Sequence, residues 1–180
     1  MKKSLLGKTP VELKQIAVSE GLPAFTGNQI AQWIYRKKIM SIDDMTNLPK
    51  AGRERLAAKY DVGRTKFSDC RTSSDGTRKY LFNVDCVHSP ELNAKDNATK
   101  TELSAIEAVM IPEADRRTLC VSSQAGCKMG CRFCMTGLQG FHGNLSAGDI
   151  INQFLSIEES DALSNAVFMG MGEPLDNYEN

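Results

Sequence analysis

The feature that most constrains this chain is the run GCKMGCRFC, in which Cys127, Cys131 and Cys134 stand four and three residues apart. In a tight, non-helical loop those spacings turn all three sulfurs inward, so the stretch reads as a ligand loop. Four of the six cysteines fall in the fifteen residues from Cys120 to Cys134. No window approaches about eighteen consecutive apolar residues, and the start MKKSLLGKTP has too short an apolar run for a secretory signal. The expected setting is cytoplasmic and reducing, where clustered cysteines serve as ligands or catalysts rather than as disulfide staples. Cys70 and Cys86 stand apart and read as ordinary small buried residues.

With 180 residues, 41% of them hydrophobic, the chain is long enough for one ordinary soluble domain or two small ones. The net charge of +0 conceals an asymmetry: residues 1–60 hold 11 Lys and Arg against 5 Asp and Glu, whereas residues 61–180 hold 11 against 17. A basic small domain on an acidic body points to nucleic acid, because a phosphate backbone rewards a local positive patch. Solvated helix faces explain the same charge equally well.

The first sixty residues read as helical. Thr9-Pro10-Val11-Glu12 has an N-cap, a proline at the first helical position and a glutamate at the third, with Gly21 placed to end the helix. A second start is expected at Thr26 with Gln29, followed by Ile30, Trp33, Ile34 and Lys37 at helical spacing, Trp33 facing the core. A turn at Ser41–Met45 and a helix over Pro49–Tyr60 complete the unit, whose exposed cations include Arg36, Lys37 and Lys38.

From Thr65 the pattern turns to strands. TKFSDCRTS and TRKYLFNV flank the hairpin signal Ser74-Asp75-Gly76, and SAIEAVMI pairs with RTLCVSS. Between the two pairs a polar loop is expected over 86–102, with His88 as a solvated imidazole. After the cysteines, Ser146 with Asp149 begins a helix, and Asn165–Gly170 reads as a short buried strand running into MGEP. Strand, loop, helix, strand is the opening of a parallel α/β layer. The fold class is α+β, then α/β, divided as 1–62 helical, 63–116 hairpins and 117–180 α/β.

The cysteine trio admits two metal readings. A structural zinc site wants four closed ligands, and here His142, Cys120 or Cys70 would have to complete the set. A [4Fe-4S] cluster usually takes four thiolates, and one held by three keeps an iron open. The amino and carboxylate groups of S-adenosylmethionine can chelate that iron, which is the route to a 5′-deoxyadenosyl radical.

CxxxCxxC with Phe133 before the last cysteine resembles the signature of the radical S-adenosylmethionine superfamily, and AVFMGMGEPL resembles its Gly-Glu-Pro segment at the end of the second barrel strand. RRTLCVSSQAGCKMGCRFCMTGLQGFHGNLSAGDI, with FTGNQIAQWIYRKK and MTNLPKAGRERL upstream, is similar to the adenine-C2 RNA methyltransferases of the RlmN type, with the Cfr branch nearby. The resemblance implies an RNA-engaging helical domain over 1–62 and the beginning of a partial (β/α)6 barrel, truncated after its second strand. It implies that Cys127, Cys131 and Cys134 hold a [4Fe-4S] cluster and that Gly172 and Glu173 contact S-adenosylmethionine. Glu107 would accept the adenine C2 proton, and Cys120 would be the thiol that releases the product, leaving a transient disulfide. The implied partners are 23S rRNA, tRNA and a flavodoxin-type electron donor, with no membrane.

The family's methyl-carrying cysteine lies near its C-terminus, whereas only 46 residues follow Cys134 here. The remaining barrel units cannot fit, so a fragment that does not complete turnover alone is expected. Two other readings stay open: an RNA-binding module clipped by zinc or a cluster without catalysis, and Cfr-like methylation at C8.

Overall fold

Thr9 starts the first helix as its neighbours predict. In the computed structural model, which describes residues 2–87 and 101–180, the Thr9 side chain accepts from the Glu12 amide at 3.3 Å. The Glu12 carboxylate in return accepts from the Thr9 amide at 2.7 Å. This reciprocal cap satisfies donors that a helix start otherwise leaves open, and it fixes α1 (Pro10–Ser19).

The second helix differs from expectation. α2 (Thr26–Ala31) has Thr26 inside the helix and buried, and Phe25 before it is already in the helical region. The Pro23, Ala24 and Phe25 carbonyls accept from the amides of Thr26, Gly27 and Asn28, so the first donors are met by backbone and no side-chain cap forms. The helix continues as a π turn over Gln32–Arg36. Trp33 is half-buried at the edge of the core, with Lys37 Nζ 3.6 Å from its ring centroid and its indole N–H donating to Asn47.

The chain divides into two compact units, Met1–Thr65 with Ala147–Leu155, and Lys66–Ser146 with Ser156–Asn180. In the first, β1 (Lys3–Ser4) pairs in parallel with β2 (Tyr60–Asp61), a 3-10 turn spans Ile42–Asp44, and α3 (Lys50–Lys59) follows. Leu5, Leu13, Ala17, Ile30, Ile34, Met45 and Leu56 form its core. Ile151 and Leu155 of α5 (Ala147–Leu155) pack on that core, although the sequence order puts α5 in the segment 117–180. The buried Asn152 explains its hold: Nδ2 donates to Thr65 O and Oγ1, and Oδ1 accepts from the Thr65 amide.

The second unit is built on one five-stranded sheet. Its order is β3 (Asp69–Thr72), β4 (Arg78–Val87), β5 (Thr101–Pro112), β6 (Arg117–Cys120) and β9 (Asn165–Val167). All neighbours are antiparallel except β6 and β9, which are parallel. The hairpin strands and the α/β strands thus share hydrogen bonds in a single sheet. Tyr80, Phe82, Ile106, Ala108, Met110 and Leu119 are buried on one face. Two expectations change at the sheet edges. Cys70 is half-buried because β3 is an edge strand, and Asn165 and Ala166 are exposed because β9 is the opposite edge. Of the loop expected over 86–102, residues 88–100 with His88 lie outside the described residues, as does the side chain of Cys86; the flanking residues are strand.

An ionic cluster ties β4 to the segment after α5. Arg78 Nη1 reaches Glu158 and Glu159, each at 2.6 Å, and the Tyr80 hydroxyl donates to Glu159 Oε2 at 2.6 Å. Burial pushes the Glu159 carboxyl up, but the hydrogen bonds from Tyr80 and Arg78 outweigh it and hold the group below the ordinary carboxylate range. A group depressed in the folded state stabilises fully above its unfolded pKa, and that contribution is lost as pH falls through the folded value. Glu159→Gln is therefore expected to destabilise the chain by about 1–3 kcal/mol at neutral pH and to flatten the acid side of its stability profile. Urea melts at several pH values measure both effects, and superimposable profiles would refute them.

Candidate functional site

The cysteine loop is held at its neck by a small ribbon. β7 (Gln124–Gly126) pairs antiparallel with β8 (Phe141–Asn144), and between them lie the three cysteines and the single turn α4 (Met135–Leu138). Gly126 has φ +74, and a Cβ there would meet Gly140 O at 1.9 Å. Only glycine allows this closeness, and the Cys127 amide then donates to the same Gly140 O at 3.1 Å and closes the loop.

Within the loop, the Cys134 amide donates to Cys131 O at 3.0 Å. Cys127 and Cys134 are half-buried and Cys131 is exposed. The Cys134 sulfur accepts hydrogen bonds from the backbone N–H of Gly137 and of Thr136, which hold its pKa below the ordinary thiol range. Among the described residues, no three His, Cys, Asp or Glu side chains converge into a ready-made metal centre. The chemistry of the donor set nonetheless fits a three-thiolate cluster: three soft ligands on one closed loop, one of them with two backbone N–H groups aimed at its sulfur. His142 is on β8 and half-buried.

Cys120 ends β6, opposite Val109 of β5 and Val167 of β9. Ile106, Ala108 and Met110 face the core, so Glu107 and Val109 point to the other face. Glu107 and Cys120 therefore share one face of the sheet as diagonal neighbours across β5 and β6. Burial pushes the Cys120 thiol up, against a hydrogen bond from the Met169 backbone N–H. Glu107 Oε1 lies 2.9 Å from Lys79 Nζ on β4, which is a cross-strand ion pair.

The Gly172–Glu173 turn follows β9. Gly172 has φ +95, and a Cβ would meet Gln124 Cβ at 2.5 Å and its amide N at 2.7 Å. The Met171 carbonyl accepts from the amides of Ser123 and Gln124, and its own amide donates to Ser122 Oγ at 2.9 Å. Glu173 caps the 3-10 turn Pro174–Asn177, its carboxylate accepting from the Leu175 amide at 3.2 Å. Asn177 Nδ2 donates to Ser123 O and Leu145 O, both at 2.8 Å. Sequence reasoning missed Ser122, Gln124, Lys128, Asp176 and Asn177; the polar trio Ser122-Ser123-Gln124, just beyond the apolar end of the strand segment, was the available sign.

Comparison with known proteins agrees with this architecture. Residues 3–62 match the family model of the ribosomal RNA large subunit methyltransferase N-terminal domain, RlmN_N. Over 175 residues the chain is 49% identical to the probable dual-specificity RNA methyltransferase RlmN of Porphyromonas gingivalis, covering 97% of this chain and 47% of that protein. It is 42% identical over 183 residues to the dual-specificity RNA methyltransferase RlmN of Nitratiruptor, covering 99% of this chain and 50% of that one. The crystal structure of a radical SAM methyltransferase from Sphaerobacter thermophilus superposes with a TM-score of 0.81 at 34% identity, over 98% of this chain and 49% of that chain. The mixed α/β fold is thus the fold of a radical S-adenosylmethionine methyltransferase over the residues present. The chain is similar to RlmN-type RNA methyltransferases along nearly all of its own length, and it spans about half the length of the curated relatives it matches.

The close approach at the turn predicts the effect of one methyl group. Gly172→Ala forces a strained backbone against Gln124 and is expected to cost at least about 1–3 kcal/mol, with faster amide exchange over 171–175. Unchanged urea stability and exchange would show that the turn does not need glycine.

Proposed function

We propose that the chain is part of an RlmN-type radical S-adenosylmethionine methyltransferase that methylates C2 of an adenine in 23S rRNA and of the adenine 3′ to the anticodon in tRNA. The observation that carries this reading is the closed three-thiol loop, in a chain whose relatives at 49% identity are named dual-specificity RNA methyltransferases. In this reading Cys127, Cys131 and Cys134 hold a [4Fe-4S] cluster, and Gly172 and Glu173 meet S-adenosylmethionine beside it. The bound cluster and S-adenosylmethionine supply the one-electron chemistry that an unreactive aromatic carbon requires. The residues of this chain do the rest. Glu107 accepts the proton lost from C2, Lys79 orients its carboxylate through their 2.9 Å ion pair, and Cys120 provides the thiol that frees the methylated base. Cys120 begins as a thiol because burial disfavours its anion, so it needs to give up its proton during release.

The helical segment 1–62 engages RNA, residues 63–116 carry Glu107, and 117–180 begin the partial (β/α)6 barrel. A flavodoxin-type donor is the proposed source of electrons, and the cytoplasm, where these RNAs reside, is the proposed place of work. Among the described residues, no helix is long and apolar enough to cross a membrane. Since the chain spans about half of its relatives, methylation by these 180 residues alone is not expected.

Anaerobic reconstitution with iron and sulfide, followed by EPR after dithionite reduction, tests the cluster. The expected result is a [4Fe-4S]⁺ signal that changes on adding S-adenosylmethionine and is lost in Cys131→Ala. Stoichiometric zinc without a cluster would overturn the reading in favour of a zinc-clipped RNA-binding module. RNA engagement is tested by salt titration: replacing Arg36, Lys37 and Lys38 by Ala should flatten the log-log salt dependence by about 0.7–0.9 for each phosphate contact removed. An unchanged slope would place the RNA contacts elsewhere.

A further inference from the structure

Beneath the cysteine loop lies a polar brace that no step of the reaction uses. The Gln124 side chain is fully buried, at 0% exposure, and both of its polar atoms are engaged. Oε1 accepts from the Glu173 amide at 3.0 Å, and Nε2 donates to Asn144 Oδ1 at 2.9 Å and to Asp176 Oδ2 at 2.7 Å. The same Asp176 oxygen pairs with Lys128 Nζ at 3.0 Å. Lys128 directly follows Cys127, and its ammonium lies 4.5 Å from the centroid of Phe141 at the loop's neck. One line of bonds thus runs from the cysteine loop through Lys128, Asp176 and Gln124 to the backbone of the Gly172–Glu173 turn.

The burial of Gln124 makes this line more than a set of separate contacts. Each polar group left unmet there costs about 1–3 kcal/mol, and a partly satisfied buried network is worse than a complete one. Loosening the turn frees Gln124 Oε1; loosening the cysteine loop removes the cation that holds Asp176 in place for Gln124 Nε2. Each end is therefore most stable when the other is ordered.

We propose that Gln124 is a positioning residue which, with Asp176 and Lys128, couples the order of the cysteine loop to the order of the Gly172–Glu173 turn, so that filling one site strengthens binding at the other. This rests on the reading in which the thiols hold the cluster and the turn meets S-adenosylmethionine. By linkage the coupling is reciprocal. A brace of this kind gives an economical reason for a glutamine at 124: only a side chain with both a donor and an acceptor serves the carboxylate and the backbone amide together.

The test compares the wild-type chain with Lys128→Met, Asp176→Ala, Asp176→Glu and Gln124→Leu, by amide exchange and by S-adenosylmethionine binding after reconstitution. Lys128→Met, a change within the cysteine loop, is expected to speed exchange in 171–175 as well as in 127–134. Asp176→Ala should do the same in both segments and weaken S-adenosylmethionine on the order of 10-fold, within the usual range of coupling between sites. Asp176→Glu should restore most of both. Exchange over β3 to β5 should stay as in the wild type, which separates coupling from general unfolding. If Gln124→Leu does not fold, the part-exposed Lys128 and Asp176 decide the matter. Loosening confined to the mutated segment, or absent from both, overturns the proposal. A wild-type chain that takes up iron and sulfide yet ignores S-adenosylmethionine refutes the reading of the turn, and the exchange data then decide the brace.

Discussion

The parallel pairing of β6 with β9 is the constraint on which the second unit depends. Thr118, Leu119 and Cys120 face Asn165, Ala166 and Val167 in register. That register delivers the chain after β6 and the chain after β9 to the same edge of the sheet. Ser122, Ser123 and Gln124 then meet Met171 and Glu173 at hydrogen-bond distance. In an α/β layer, ligands gather beyond the carboxyl ends of parallel strands; here the cysteine loop and the Gly-Glu-Pro turn both leave from those ends. A slip of one residue would turn Cys120 to the other face of the sheet and misalign Ser122 with the turn it holds.

The side chains that hold this edge are polar and buried, which is a more demanding construction than an apolar core. Ser122 Oγ donates to Glu107 O at 2.6 Å while accepting from Met171, so a single hydroxyl joins β5 to the turn. Asn177 bridges two carbonyls from separate segments. Such groups add little net energy when satisfied and are expensive when not. They specify one arrangement of loop and turn, while the apolar set around Tyr80, Ile106 and Leu119 carries most of the burial.

Much of this architecture was legible in the residues. Thr9-Pro10-Val11-Glu12 announced α1, because a cap is a local contact between residues three apart. Ser74-Asp75-Gly76 announced the β3–β4 hairpin for the same reason, and strand alternation picked out β5 and β6. The cysteine spacing predicted a tight loop, which the β7–β8 pairing closes, but Cys131 is exposed in it rather than turned inward with the other two. Thr26 misled because Pro23 to Phe25 had already begun to turn, and a backbone carbonyl meets a donor as well as a side chain does. The exposure of β9 was not legible, since an apolar run reads the same in a central strand and at an edge.

By itself the sequence determined the local structures and the chemistry available: where helices start, which residues alternate, and that three soft thiols stand on one loop. These follow from interactions between near neighbours and from side-chain type. Tertiary structure alone decided that Lys79 meets Glu107, that Glu107 shares a face with Cys120, and that Gln124 reaches both Glu173 and Asp176. It alone decided that α5 packs with the N-terminal helices. Those relations join residues as many as 91 positions apart, as in the bond from Arg64 to the Leu155 carbonyl. No local pattern encodes them, because strand register and packing choose them together only once the chain has closed on itself.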